Sequence, residues 1–180
     1  MLVEGTVSID RSSDVANYIA LAERALASGN CREAVDYAKR ALEIEHKNVD
    51  AWLCRARAVR GLSSIIDPLA GEMIHCFSSA IDLTSEDQRP ALRERCGAEL
   101  NAAGEQCMAQ TPNRIFDRRA SYLQLINLFQ WSYHWSPQRR PLNNIEHLAM
   151  HMVTFVSGAA KKETKQLLSE TRAEIEKVTR

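Results

Sequence analysis

Tyr18, Ala22 and Ala25 recur 34 residues later as Trp52, Ala56 and Val59. Each trio occupies positions i, i+4 and i+7, so its members share one face of a helix. A large ring followed by two small side chains, repeated in phase, limits what this chain can fold into more than any other feature. It calls for helix pairs that approach closely along the small residues while the ring fills the adjoining groove. A second correspondence runs through the partner helices. "EAVDYAKRALEI" (33–44) aligns with "EMIHCFSSAIDL" (72–83) at an offset of 39, matching Ala34 with Met73, Ala38 with Phe77, Ala41 with Ala80, and Ile44 with Leu83. The spacing grows from 34 to 39, which places a five-residue insertion within "RGLSSIIDPLAGEMIHC" (60–76).

Local signals bound the helices. Ser12 or Ser13 is suited to cap the first by accepting a bond from a free first-turn N–H. Gly29-Asn30 ends it, because glycine takes a left-handed turn at little steric cost. The second helix is expected from about Cys31 to His46 and the third from about Val49 to Gly61. Asp67-Pro68 reads as the restart, with aspartate as the cap and proline in the first turn, where its missing N–H costs nothing. The fourth helix then runs to about Thr84. The insertion at about 61–68 either extends the third helix or projects as a loop. Leu62, Ile65 and Ile66 are too apolar for an idle solvated loop, and are expected to pack over the hairpin end or to form a contact site.

Two helical hairpins with this aromatic–small–small pattern resemble the tetratricopeptide repeat family. The resemblance covers residues 14–84, and "GNCREAVDYAKRALEIEHKN" (29–48) is its closest stretch. Ala34, Ala41 and Ala80 match the family's alanines, Met73 departs from them, and His46 stands where the family favours proline. The resemblance implies stacked hairpins whose first helices line a concave, peptide-holding face. Positions matching that face are Ile19, Glu23 and Leu26 in the first repeat, and Leu53, Arg57 and Arg60 in the second. The lysine and asparagine with which some members clamp a chaperone's C-terminal carboxylate are replaced here by Ile19 and Glu23, so that clamp is absent. Arg57 and Arg60 have guanidinium forks suited to carboxylates of an acidic segment.

Two repeats are generally too few to stand alone, since each buries a face against its neighbour. Residues 85–180 are therefore expected to form capping helices within the same domain, with 1–13 a flexible N-terminus. Residues 87–110 carry a thin stripe of Leu92, Cys96, Ala103 and Cys107, expected to pack against the fourth helix. Thr111-Pro112 starts another helix, to about Trp135. That helix is apolar nearly all round, leaving a polar strip of Gln124, Asn127, Gln130 and His134, so it is either buried on several sides or paired with another molecule. "SPQRRPLNN" (136–144) reads as a loop. A further helix with Ile145, Leu148, Met152 and Phe155 on its core face is interrupted near Gly158. The final charged helix is anchored by Leu168, Ile175 and Val178.

Twenty-three basic residues balance twenty-three acidic ones, so no global field steers the chain toward nucleic acid or an anionic membrane. No apolar run approaches the roughly 20 residues that span a bilayer, and the N-terminal stretch lacks the pattern of a secretory signal. Five cysteines without a CxxC pair read as reduced thiols in the cytoplasm.

Reactive constellations are few. His147 and His151 have chelating spacing, but "EHLAMH" lacks the correctly placed glutamate of HExxH. The pair is read as a solvated polar face and only a weak metal candidate, with His134 or His75 as conceivable third ligands. His75 beside Cys76 suggests an activated thiolate, yet helical neighbours point about 100° apart, and Cys76 lies on the packing side. Neither a phosphate-binding glycine loop nor a GxSxG elbow occurs. Phe129, Trp131 and Trp135 belong to a core or a subunit interface.

The sequence thus points to an all-α fold of repeat hairpins capped by a C-terminal helical bundle. The expected function is a non-catalytic, cytoplasmic protein- or peptide-binding module without cofactor. The alternatives are a scaffold dimerising through 115–135 and the final helix, and, third, a metal- or small-ligand enzyme using the histidines.

Overall fold

The computed structural model describes residues 11–110 and 119–179. Within them the protein is all-helical, with eight helices: α1 (Ser12–Ala27), α2 (Cys31–Ile44), α3 (Val49–Leu62), α4 (Ala70–Leu83), α5 (Arg89–Ala109), α6 (Arg119–Trp135), α7 (Arg139–Phe155) and α8 (Gly158–Val178). α1 packs on α2, α2 on α3 and α3 on α4, and α1 also touches α3. The second half repeats this succession: α5 packs on α6, α6 on α7 and α7 on α8, with α5 touching α7. α4 joins the halves by meeting both α5 and α6.

The first three helices meet along small side chains, in three tiers. Val15, Ala41 and Ala51 form one, Ala22, Ala38 and Cys54 the next, and Ala25, Ala34 and Ala58 the last. The numbers rise along α1 and α3 and fall along α2, so α2 runs antiparallel to both. Alanine at nearly every contact lets the backbones approach closely. The opposite side of α3 carries Leu53, Ala56 and Val59 into the main core with Met73, Phe77 and Ala80 of α4. Each repeated ring meets a ring on the second helix of its own pair. Tyr18 stacks on Tyr37 at 6.4 Å, and Trp52 stands edge-on to His75 at 5.4 Å. The Trp52 indole N–H also donates to the His46 carbonyl at 2.9 Å, tying the α2–α3 turn to α3.

Gly29 takes the expected left-handed conformation (φ +77°), and Asn48 caps α3 by accepting from the Ala51 N–H at 3.0 Å. Two expected caps fall elsewhere. α1 already includes Ser12 and Ser13, with Arg11 at the capping position; the rest of the expected flexible N-terminus, residues 1–10, lies outside the described residues. Asp67-Pro68 does not start α4 either. Pro68 is buried, Asp67 closes a turn with Ser64, and Leu69 sits left-handed (φ +47°) immediately before Ala70.

The insertion is a loop that joins the two halves. Ile65 is buried in the main core, and the Ile66 carbonyl accepts a hydrogen bond from the Ser121 hydroxyl of α6 at 2.8 Å. Leu62 and Ile66 remain exposed.

α5 packs chiefly on α6 and less extensively on α4, the partner its thin stripe suggested. The reason is glycine. A Cβ on Gly97 would lie 2.8 Å from Ser136 Cβ, and one on Gly104 2.5 Å from the Phe129 ring. α6 thus fits against bare α5 backbone, and the Ser132 hydroxyl donates to the Gly97 carbonyl at 2.7 Å. The expected loop 136–144 is also shorter. α7 begins at Arg139 and holds a buried Pro141 in its first turn, where no intrahelical donor is lost. The break near Gly158 is present, with Gly158 left-handed (φ +56°) at the start of α8. α8 lies on α7 through Ala160, Thr164, Leu167, Thr171 and Ile175 at helical spacing. The expected helix start at Thr111-Pro112 lies outside the described residues.

Candidate functional site

The face carried by α1, α3 and α5 holds two depressions. One, of about 410 Å³, is lined by Leu26, Cys31, Arg57, Arg60, Gly61, Glu99 and Gln106. The other, of about 330 Å³, is lined by the first half of α1, including Ile19 and Glu23, together with Glu45, Asn48 and Asp50. Ile19, Glu23 and Leu26 stand at i, i+4 and i+7 on α1, so one stripe of that helix contributes to both.

Of the six residues expected on this face, five line it. Leu53 does not: it is 5% exposed and belongs to the main core. The arginines line the larger depression but are already engaged. Arg57 grips Glu99 of α5 with both Nε and Nη2 at 3.0–3.3 Å, and Arg60 donates to Gln106 at 3.2 Å. The matching bond from α5 to α7 is the bidentate Arg140–Glu105 pair at 2.6 Å, and Asn144 adds a further bond to Glu105. Glutamates of α5 thus brace it to α3 on one side and to α7 on the other. The brace neutralises much of the cationic character that the sequence assigned to Arg57. At the other end of the face Glu23, Glu45 and Asp50 line the smaller depression with no lining cation.

Cys31 is the one cysteine that is only partly buried, and its sulfur lies against Gly61 at the edge of the larger depression. Burial pushes the other thiols up, Cys54 and Cys76 to about 11 and Cys96 to about 12. Cys76 is fully buried, while His75 is exposed and faces Trp52, so the pair has no geometry for thiolate activation.

The aromatic helix is mostly internal. Phe129 is fully buried and Trp135 is 9% exposed; both face the core because α6 is enclosed by α4, α5 and α7. They are therefore not open to another molecule. Trp131 is half-buried, packs on Trp135 and His134, and borders a shallow depression with Asn127, Gln130 and His134. His147 and His151 are exposed on α7. Among the described residues no three His, Cys, Asp or Glu side chains converge as metal ligands, and no helix is long and apolar enough to cross a membrane.

The bracing glutamates Glu99 and Glu105 escaped sequence reasoning, because each finds its arginine 35 or more residues away. Nothing local signals such a pairing. Comparison with protein-family models and with curated proteins finds no match.

Proposed function

We propose that the chain is a non-catalytic, cytoplasmic module of tetratricopeptide type that holds a protein segment across the α1–α3–α5 face. The observation that carries this reading is the α1 stripe of Ile19, Glu23 and Leu26, bordering two depressions on a braced helical face. Supporting it, the repeated rings of Tyr18 and Trp52 each sit against the second helix of their own pair, as stacked hairpins of that family require. The guest's charge follows from the site. Arg57 and Arg60 are engaged by α5, whereas Glu23, Glu45 and Asp50 border the open end, so the guest offers an apolar residue beside Leu26 and a basic one beside Glu23.

The test is affinity isolation with the full chain, comparing wild type with Leu26→Asp, Glu23→Lys and, as a control face, Leu123→Ser. Proteins held by wild type and Leu123→Ser but lost by both groove variants support the assignment. Retention by both groove variants removes it. Dimerisation through α6 has less to work with, since Phe129 and Trp135 are committed to the core; loss of self-association only in Leu123→Ser would favour that alternative.

A further inference from the structure

His147 and His151 lie one turn apart on α7, a helix of 17 residues. Both are exposed, and their ring centroids are 4.6 Å apart at an interplanar angle of 61°. Neither imidazole hydrogen-bonds to a described residue, so the nitrogens of both rings remain open to a ligand. The neighbouring groups that could compete are occupied. Glu146 accepts from Arg172 of α8 at 2.6 Å, and the Met150 sulfur accepts from the same guanidinium at 3.7 Å.

We propose that His147 and His151 form a two-imidazole chelate for a late first-row divalent cation, with Cu²⁺ held more tightly than Ni²⁺ or Zn²⁺. Neutral imidazole is a favoured ligand for these ions, and their affinities peak at copper. A helix supplies the geometry, because residues i and i+4 project from one face and can close on a single ion about 2.0–2.1 Å from each nitrogen. With two donors from the chain and no third converging among the described residues, water or a donor from another molecule completes the coordination. This is an open surface chelate, in contrast to the closed four-ligand arrangement of structural zinc.

The experiment is calorimetric titration of the full chain with CuCl₂ and with NiCl₂ in a non-chelating buffer, using wild type, His147→Ala, His151→Ala and His134→Ala. Removing one of two linked donors abolishes the gain in effective concentration, so each α7 variant should bind about tenfold or more weakly, while His134→Ala matches wild type. Electron paramagnetic resonance of the copper-loaded protein should show two imidazole nitrogens in wild type and one in each α7 variant. Unfolding curves of the metal-free variants confirm that both remain folded. Equal binding by both α7 variants overturns the proposal, as does the absence of saturable binding by wild type.

Discussion

The Phe129 ring rests on Gly104: a Cβ at that position would lie 2.5 and 2.7 Å from two ring carbons. Phe129 is fully buried, so the ring has no free space into which to swing. Gly104→Ala gains about 1 kcal/mol in helix propensity but overpacks the α5–α6 contact by roughly 1–3 kcal/mol. Urea unfolding should show a net loss, partly recovered when Phe129→Leu is added. Gly71, which has nothing within 4 Å of an added Cβ, should behave oppositely: Gly71→Ala stabilises by about 0.5–1 kcal/mol.

Ala22 and Ala56 are both fully buried, one in the α1–α2–α3 tiers and one between α3 and α4. Ala22→Leu and Ala56→Leu should each cost roughly 1–3 kcal/mol, read as a lower unfolding midpoint. The same change at the exposed Ala20 should stay within about 0.5 kcal/mol.

Glu105 makes stability depend on pH. Burial alone would raise its carboxyl, but hydrogen bonds from Arg140, Asn144 and Asn101, with the Arg140 charge, hold it below the usual 4.5. A carboxyl depressed in the folded state contributes stability that is present above its unfolded value and lost as pH falls through the folded one. Glu105→Gln should therefore be less stable than wild type at pH 7, by about 1 kcal/mol given partial exposure. The gap should close as pH falls below about 4.5. Denaturant melts at pH 7 and pH 3 measure both ends, and an equal gap at the two pH values would refute the linkage.

Thiol reactivity should separate Cys31 from the rest. Burial raises the Cys54, Cys76, Cys96 and Cys107 thiols, so at pH 8 they are protonated and shielded. Ellman's reagent should find one fast thiol in the native chain and five in denaturant. Cys31→Ser should remove the fast phase alone.

What the sequence disclosed follows from what is local. Helical periodicity, the left-handed Gly29 and the 34-residue echo of Tyr18 in Trp52 are properties of short windows, and each stands where the pattern put it. Leu53 misled because, although it shares a stripe with Arg57 and Arg60, it is drawn into the main core and only 5% exposed. Arg57 misled because its partner Glu99 arrives from α5, 42 residues away in the sequence. Gly97 and Gly104 leave the room into which Ser136 and Phe129 fit, and no local pattern signals that use. Pro141 looked like a loop marker although a first turn accepts it equally well. The family resemblance placed Ile19, Glu23, Leu26, Arg57 and Arg60 on one face, and all five line depressions there.

Ser121 holds the bridging loop by the main-chain oxygen of Ile66, leaving the isoleucine side chain in solvent. A tether of that kind is blind to the letter it grips. Substitution at 66 should drift freely, while removal of a single residue between 63 and 69 would slide the carbonyl out of reach of Ser121.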